Sequence, residues 1–382
     1  MDFELNAEQQ MMRRMVHDFA EKEIRPITKD IDATGQFPWE VIHKMGGLGL
    51  LGLPIPEQYG GSGADTISYA IAVEEVSRIS GSIGITLAAH TSLGIYPLYR
   101  FGSEGQRQQY LPNLAAGRGL AAFGLTEPEA GSDAAAVKTT AVLDGDYWVI
   151  NGTKTFITSG SIADVVIIAA VTDKAAGTRG ISNIIVEKGT PGFRPGRDED
   201  KMGLKASVTS QLFFEDCRVP KSNLLGNPGE GYKQFLMTLD GGRISIGAMA
   251  LGLAQGALEA AVKYSGERVQ FGQPIANFQA IQWMLADMAT EIDAARLMVY
   301  RAAWLKDKGV RFTKEAAMAK LFASEAAERA CFKAIQVHGG YGYVREYDVE
   351  RIYRDNRLTT IGEGTSEIQR LVIARQVLEA AK

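Results

Sequence analysis

The chain has 382 residues, of which 46 % are hydrophobic and 23 % charged, as in a globular protein of two or three structural units. Its formal net charge of −4, with no local Lys/Arg run, argues against nucleic-acid binding, because phosphate neutralisation needs a basic surplus. Two cysteines exclude a disulfide scaffold, and four dispersed histidines predict no metal site.

The first 120 residues have a helical pattern, with apolar side chains at four-residue spacing such as Met11, Met15 and Phe19. Pro38 fits the first turn of a following helix, and residues 66–80 carry a second amphipathic pattern. Residues 47–52 match the GxGxxG dinucleotide fingerprint, but a helix precedes them and prolines follow. We interpret them as a glycine-rich turn, because nucleotide binding needs a strand before the first glycine.

From residue 121 to 228 the pattern changes toward the alternation typical of β-strands. Asp144-Gly145 and Asn151-Gly152 each separate two β-rich runs, and both predict tight hairpin turns. Further short β-rich runs follow at 163–171, 181–188 and 207–216. So many short strands in one segment predict a compact antiparallel sandwich or barrel.

Residues 229–382 are helical again, and their first part predicts a single helix of roughly 35 residues, about 50 Å long. Small residues such as Gly247 and Gly252 permit close helix contacts there. Two more long helical segments follow, at 276–309 and 313–340. Three such helices predict an antiparallel bundle, and their length favours burial against another subunit.

Two segments of the central region carry candidate ligand contacts. The run FGLTEPEAGSD, residues 123–133, offers hydroxyls, carboxylates and backbone N–H groups in a loop that follows a strand. Phe156 and Thr158 share one face of a strand, which sets an aromatic ring beside a hydroxyl. From the residues alone, the first segment is equally consistent with a polar turn and the second with the buried face of a strand.

The helical C-terminal region carries further candidates. Arg268 breaks two long helices, and it either clamps an anion or caps helix carbonyls. Gly339 and Gly340 end the next helix, as a C-cap or where a pyrophosphate approaches the backbone. Glu363 lies between two glycines just before a helix, so its carboxylate is either accessible to a ligand or simply solvated. The cluster 240–243 brings an arginine to the longest helix.

Taken in order, these motifs resemble the acyl-CoA dehydrogenase family over essentially the full chain. They are TEPEAGSD, NGTKTFIT, LDGGR, RVQFGQPI, QVHGGYGY and IGEGTSEIQR. The resemblance implies an α+β fold with a helical domain over residues 1–120, an antiparallel β domain over 121–228 and a four-helix bundle over 229–382. It also implies non-covalent binding of FAD and oxidation of an acyl-CoA thioester to the trans-2-enoyl-CoA.

The resemblance also assigns site residues. Glu363 would remove the α proton while the β hydride leaves to flavin N5, since it fills one of the two places where the family carries its base, and Gly242 fills the other. The thioester oxygen would be held by the backbone N–H of Glu363 and a ribityl hydroxyl. The residues implied at the FAD, partly across a subunit interface, are Phe123, Leu125, Thr126, Gly131, Ser132, Phe156, Ile157, Thr158, Arg268, Phe271, Gln279, Gln336, Val337, Gly339, Gly340, Thr365 and Glu367. The residues implied along the acyl-CoA are Ser132, Asp240, Gly242, Arg243, Gly362 and Gly364.

Gly362 departs from the pattern of straight-chain members, which usually carry Tyr at this position. Removing that ring makes room beside the reacting carbons, so we expect a short, branched or cyclic acyl group. Bound substrate would raise the pKa of Glu363 by desolvation, whereas the N-terminus of the following helix would lower it. The sequence leaves the net direction open.

Related reactions remain open on the same motifs. They are an enoyl-CoA reductase, an acyl-CoA oxidase and a glutaryl-CoA-type decarboxylating dehydrogenase, which needs a cation such as Arg100 for the distal carboxylate. A flavoprotein without dehydrogenase activity is disfavoured by the acidic net charge and by Glu363.

The family pattern implies an electron-transferring flavoprotein as electron acceptor and a homotetramer built as a dimer of dimers. No stretch approaches 18 uninterrupted apolar residues, and no apolar signal-type run opens the sequence. We therefore expect a cytoplasmic protein without a membrane segment.

Overall fold

The computed structural model describes residues 4–381, which form a helical N-terminal region, a central β-sheet and a helical C-terminal region. The α-helices are α1 (Ala7–Phe19), α2 (Thr28–Thr34), α3 (Trp39–Gly47), α4 (Thr66–Ile79), α5 (Gly81–Ala89), α6 (Tyr96–Phe101), α7 (Glu104–Ala115), α8 (Gly231–Glu267), α9 (Gln279–Asp307), α10 (Thr313–His338), α11 (Asp348–Asn356) and α12 (Ser366–Ala380). The strands are β1 (Ala121–Gly124), β2 (Thr140–Asp144), β3 (Tyr147–Thr158), β4 (Val165–Val171), β5 (Ile181–Glu187), β6 (Phe193–Asp198), β7 (Thr209–Pro220), β8 (Leu224–Leu225), β9 (Val269–Gln270) and β10 (Gln273–Pro274). The α+β architecture expected from the sequence is confirmed.

Helix α4 is the centre of the N-terminal region, and it is buried on nearly every side instead of amphipathic as expected. Its charged side chains point inward because each finds a partner there. Arg78 contacts Glu21 at 2.7 Å and Glu259 of α8 at 2.8 Å. Arg296 of α9 contacts Glu74 at 3.0 Å. These ion pairs tie α4 to the long C-terminal helices.

The glycine-rich segment 47–52 is a turn, as predicted. Helix α3 ends at Gly47, and Gly49 adopts a left-handed backbone with φ +73°. A short 3₁₀ turn, Leu50–Gly52, follows. With a helix before it and no helix opening at its last glycine, the segment lacks the geometry of a pyrophosphate site.

The central sheet has the strand order β6-β7-β3-β2-β4-β5-β8, with β1 paired to β4. Most neighbouring strands are antiparallel, as predicted. β1 and β2 nevertheless both run parallel to β4, which the short-strand pattern did not predict. Through its pairing with β4, β1 is placed in the sheet so that the loop after it starts near β3.

One of the two predicted hairpin turns is correct and the other is wrong. β2 and β3 form a hairpin whose turn contains Gly145. Asn151-Gly152 instead lies inside the continuous strand β3, at a bulge opposite β7. The Asn151 side chain donates to Asp216 at 3.1 Å, and a Cβ at Gly152 would collide with Thr139. Pairing with β7 on both sides of the dipeptide keeps the strand extended, so tertiary contacts outweigh the local turn preference.

Helix α8 runs for 37 residues, which confirms the predicted long helix. Its glycines allow close contacts: Gly252 lies against the backbone of Glu74 in α4, and Gly247 lies near Ala319 of α10. Helices α9, α10 and α12 complete the C-terminal bundle. By length and composition α8 could cross a membrane, but 78 % of its most apolar window is buried inside the structure, as in a core helix.

Candidate active site

Glu363 lies in the loop between the 3₁₀ turn Arg357–Thr360 and α12, with a glycine on each side. Its backbone is left-handed, with φ +55°, and Gly364 follows at φ +93°. A non-glycine residue in this region is strained and persists only where its surroundings hold it. Thr365 then caps α12, because its hydroxyl accepts a hydrogen bond from the Ile368 N–H at 3.3 Å. The loop therefore gives Glu363 a defined direction.

The Glu363 carboxylate points at α8, where Gly242 leaves room for it. A Cβ on Gly242 would overlap Glu363 Oε2, and the Leu93 side chain lies beside the same point. The structure thus brings Gly242 together with Glu363 and its flanking Gly362 and Gly364. The missing side chain at Gly242 is a steric requirement for this carboxylate position.

Polar atoms without partners gather around this carboxylate. Within residues 4–381, Glu363 Oε2, Arg243 Nε, Ser366 Oγ and Gln369 Oε1 are buried and have no hydrogen-bond partner. Unsatisfied buried polar atoms are uncommon, and a cluster of them indicates a ligand site. Burial raises the pKa of Glu363 to about 7, although the charges of Lys320 and Arg243 lower it. The carboxylate is thus poised to exchange a proton near neutral pH.

Two side chains hold the carbonyl groups of the loop. Lys320 Nζ, from α10, donates to the Gly364 carbonyl at 2.7 Å. Gln369 Nε2 donates to the same carbonyl at 2.8 Å and to the Glu363 carbonyl at 3.3 Å. The sequence motifs do not include Lys320, although a lysine among alanines on the buried face of a helix is a recognisable signal.

Asp240 and Arg243 form an ion pair at 2.5 Å on the same part of α8. Thr313, which no sequence pattern indicated, donates to Asp240 at 2.6 Å. Burial raises the pKa of Asp240 and lowers that of Arg243. Arg100 is exposed at the end of α6 and is not one of the cations that lower the pKa of Glu363.

The loop after β1 and the end of β3 form a second part of the site. The Thr155 N–H donates to the Thr126 carbonyl at 2.9 Å, which places Leu125 and Thr126 beside β3. Phe156 has a left-handed backbone, φ +56°, and 66 % of its surface is exposed. The strained backbone of Phe156 holds its ring in an exposed position, and such a ring offers a surface suited to a flat ligand. Ile157 is buried in the sheet core, so only its backbone can face a ligand.

The remaining residues predicted at this second part of the site are at least partly accessible to solvent. Phe123 and Thr158 are half-buried, whereas Gly131 and Ser132 are exposed in the loop. Glu367 is exposed in the first turn of α12.

Behind the loop, a buried pair fixes its shape. Lys154, fully buried in β3, contacts Glu127 Oε1 at 2.7 Å and donates to the Leu125 carbonyl at 3.2 Å. The backbone N–H groups of Lys138 and Thr139 also donate to the Glu127 carboxylate, at 2.6 and 3.0 Å. The two ends of the loop are therefore held by one carboxylate.

A third group of predicted residues lies far from Glu363. A groove of about 890 Å³ is lined by Arg268, Val337, Gly339 and Gly340. Phe271, Gln279 and Gln336 are exposed on the neighbouring surface. Along α8, Gly242 and Arg268 are about 39 Å apart at about 1.5 Å per residue. One dinucleotide cannot contact both groups within a single chain.

Three family models match successive parts of the chain. The model of the acyl-CoA dehydrogenase N-terminal domain matches residues 6–118, that of the middle domain 122–217 and that of the C-terminal domain 229–378. Together they span most of the sequence.

Curated relatives match over nearly their full length. A probable acyl-CoA dehydrogenase of Bacillus subtilis is 60 % identical, covering 99 % of this chain and 100 % of the relative. The short-chain-specific acyl-CoA dehydrogenase of Clostridium acetobutylicum is 50 % identical, covering 99 % and 100 %. Acryloyl-CoA reductase (NADH) of Anaerotignum propionicum is 50 % identical, covering 99 % and 96 %.

Solved structures have the same fold. A chain in the structure described as electron transferring flavoprotein of Acidaminococcus fermentans has a TM-score of 0.98 and 52 % identity, covering 99 % of this chain and 100 % of that one. Butyryl-CoA dehydrogenase from Megasphaera elsdenii gives 0.97 and 46 %, covering 99 % and 100 %. An acyl-CoA dehydrogenase complexed with FAD from Bacillus anthracis gives 0.93 and 38 %, covering 99 % and 68 %.

Proposed function

Because this chain belongs to the acyl-CoA dehydrogenase family of FAD-dependent oxidoreductases, we propose that it oxidises a short, branched or cyclic acyl-CoA to the trans-2-enoyl-CoA. The observation that carries the proposal is the Glu363 carboxylate, whose Oε2 atom is buried without a partner and whose pKa is raised to about 7. The α C–H of a thioester is a very weak acid. Its removal therefore needs a base that is stronger than an ordinary solvated carboxylate.

The residues at the two parts of the site fit FAD. The exposed Phe156 ring offers a flat apolar surface, and Thr126 and Thr158 offer hydroxyls beside it. Thr365 and Glu367 approach from the start of α12. Bound FAD supplies the hydride acceptor of the reaction. The chain's own contribution is to hold the thioester so that its α proton faces Glu363 and its β hydrogen faces the opposite side.

In this proposal Glu363 Oε2 takes the α proton, since that oxygen has no competing hydrogen bond. The backbone N–H of Glu363 finds no acceptor among residues 4–381, so it can donate to the thioester oxygen where negative charge develops. Arg243, Asp240 and Ser132 would lie along the CoA part of the substrate.

We assign the adenosine end of FAD to the Arg268 groove of a second copy of this chain. The separation of about 39 Å along α8 rules out the groove of the same chain. Large apolar side chains of α9 and α10 also need a cover: Trp283 is 64 % and Phe332 is 60 % exposed. We therefore propose at least a dimer with shared sites, assembled as a homotetramer.

Gly362 would determine which acyl groups fit. Leu358 lies 3.4 Å from the position of a Cβ on Gly362, so a large side chain cannot extend toward Leu358. In this proposal it extends instead into the acyl site beside Glu363. We expect Gly362→Tyr to lower kcat/KM for branched and cyclic acyl-CoAs far more than for butyryl-CoA. Equal turnover of butyryl-CoA by both forms, with no bulkier substrate affected, would contradict this assignment.

The proposed electron acceptor is an electron-transferring flavoprotein. The support is the 52 % identity to a chain from the structure described as electron transferring flavoprotein of Acidaminococcus fermentans. We propose a cytoplasmic location for the enzyme, and the support is its 60 % identity to a bacterial relative, the probable acyl-CoA dehydrogenase of Bacillus subtilis.

The test of the proposal is an anaerobic titration of the purified holoenzyme. Acyl-CoAs are added one at a time while the flavin band near ~450 nm is followed. Bleaching by a short branched or cyclic thioester supports the proposal. A flavin that no saturated thioester bleaches would contradict the proposed direction, and a chain that cannot be loaded with FAD would contradict the site.

The reverse reaction is a second candidate, because acryloyl-CoA reductase (NADH) is 50 % identical over nearly the whole chain. Reduction of an enoyl-CoA would use the same residues, with Glu363 giving its proton to the α carbon. Holoenzyme whose flavin is reduced beforehand would then be reoxidised by an enoyl-CoA faster than the oxidised form is bleached by the saturated thioester.

A further inference from the structure

Lys320 is a buried cation beside the proposed base, and nothing in the proposed reaction uses it. Its side chain is fully buried on α10, and its one hydrogen bond within residues 4–381 goes to the Gly364 carbonyl. No carboxylate lies within ion-pair distance of it in that range. Burying an ammonium group without a paired anion is costly, so a gain elsewhere must offset it.

The charged groups around Lys320 come from three helices and from the loop before α12. They are Arg243 of α8, Glu325 of its own helix, Glu367 of α12 and Glu363. Tyr69 of α4 also faces Glu363. Burial and Arg243 lower the pKa of Lys320, to about 8, while the carboxylates raise it. Lys320 is therefore mostly protonated at neutral pH, and its positive charge acts on Glu363.

The hydrogen bond of Lys320 has a structural consequence of its own. Gly364 follows directly after the strained residue Glu363, and glycines on both sides leave the loop free to move when it is not anchored. Lys320 and Gln369 are the two side chains that hold its carbonyls. Of these two anchors only Lys320 carries a charge.

We propose that Lys320 is a positioning residue for proton transfer: its ammonium group anchors the turn at Glu363 and its charge keeps the Glu363 carboxylate ionised near neutral pH. This inference rests on the proposed role of Glu363 as the base. It gives α10 a part in the reaction through the turn that carries Glu363.

The test compares pH profiles of the FAD-loaded oligomer with Lys320→Met, Lys320→Gln and Lys320→Arg. The wild-type acid limb of kcat/KM is expected near pH 7. Without the cation, the Glu363 pKa rises, so in Lys320→Met the limb moves up by at least one pH unit and kcat/KM falls about tenfold at pH 6. KM is expected to change little, since Lys320 is fully buried and its ammonium group is bonded to the Gly364 carbonyl.

The other variants separate charge from anchoring. Lys320→Arg keeps the charge and restores the limb to its wild-type position, whereas Lys320→Gln keeps a donor and still shows the raised limb. Lys333→Met, on the same helix but paired with Asp287 at the surface, is the control and coincides with wild type. If Lys320→Met does not fold, the Lys320→Gln and Lys320→Arg profiles alone decide.

Two outcomes are distinguishable. A limb that stays in place in both Lys320→Met and Lys320→Gln overturns the inference, provided that Glu363→Gln is inactive. Turnover by Glu363→Gln would instead overturn the proposed base, whatever the lysine variants show.

Discussion

Two buried lysines serve two carboxylates in opposite ways. In the β region, Lys154 contacts the Glu127 carboxylate directly, at 2.7 Å. Two backbone N–H groups also donate hydrogen bonds to the oxygens of this carboxylate. In the C-terminal bundle, Lys320 binds a carbonyl next to Glu363 and leaves the carboxylate itself without a partner. Both lysines are fully buried, so burial does not distinguish them.

The pKa values of the two carboxyl groups are shifted in opposite directions. Burial raises the pKa of Glu127, but the charge of Lys154 and its hydrogen-bond donors outweigh this and the pKa lies below its usual value. Burial raises the pKa of Glu363 to about 7 because two nearby cations offset it only in part. A saturated carboxylate stabilises a loop, whereas one deprived of partners keeps its capacity to accept a proton.

The largest effect is expected from Glu363→Gln. The amide retains the shape of the side chain but cannot accept the α proton, so we expect a loss of about 10⁴-fold in kcat. Stopped-flow reduction of the flavin by substrate measures it, with the visible spectrum as a check that FAD remains bound. Glu291→Gln, which removes a surface carboxylate paired with Arg329, should keep wild-type turnover.

Lys154→Met breaks the saturated pair and leaves Glu127 buried with its charge uncompensated. We expect the free energy of unfolding to fall by about 3–5 kcal/mol, measured by urea at fixed protein and FAD concentrations. Lys138→Met removes an exposed ion pair with Glu129 and should cost less than about 1 kcal/mol. Equal losses of unfolding free energy in the two variants would show that the buried pair Lys154–Glu127 contributes no more than the exposed pair Lys138–Glu129.

Gly242→Ala addresses the space that Glu363 occupies. The new methyl group would overlap Glu363 Oε2 and displace the carboxylate, so we expect a loss of about 10²-fold in kcat. Gly241→Ala is the matched control, because a Cβ there meets only Lys306 Nζ at 3.6 Å, an ordinary contact. Equal activity of the two variants would show that the carboxylate position is not critical.

The sequence predicts much of the fold, because its signals for the large elements are local. The 37-residue helix, the α3 start after Pro38 and the hairpin at Gly145 all follow from periodicity or turn chemistry. Asn151-Gly152 fails as a turn because β7 holds both sides of it. The inward charges of α4 are likewise set by partners distant in sequence, such as Glu259.

For the site, the sequence motifs identify which segments carry candidate residues but not how the segments meet. The contact of Glu363 with Gly242 depends on how the loop before α12 packs on α8, which no motif encodes. The distance to the Arg268 groove, in contrast, follows from the length of α8 itself. The positive charge near Glu363 comes from Arg243, which a motif includes, and from Lys320, whose only signal is a lysine among alanines. The sequence thus indicates which residues can carry out the chemistry, whereas the pKa shifts of those residues depend on their neighbours in the fold.

A change of pH compares the two carboxylates most directly, because it titrates both. Glu363 must be ionised to act, so kcat/KM should fall about tenfold per pH unit below its pKa of about 7. The folded-state pKa of Glu127 is lowered, so its stabilisation is complete above the ordinary value near 4.5 and is lost only as the pH falls through the lowered value.

Between pH 5 and 7, activity should therefore fall while the difference in unfolding free energy between wild type and the double variant Glu127→Gln/Lys154→Met, which has no carboxyl group to titrate at this place, stays constant. Flavin reduction rates and urea unfolding of both proteins, taken on the same samples, measure the two quantities. If the difference in unfolding free energy fell together with activity, the two carboxyl groups would titrate over the same pH range. The distinction between a carboxylate with all its hydrogen-bond partners and one without them would then be wrong. Separate responses would show that one fold holds two buried glutamates in opposite protonation regimes through the placement of two lysines.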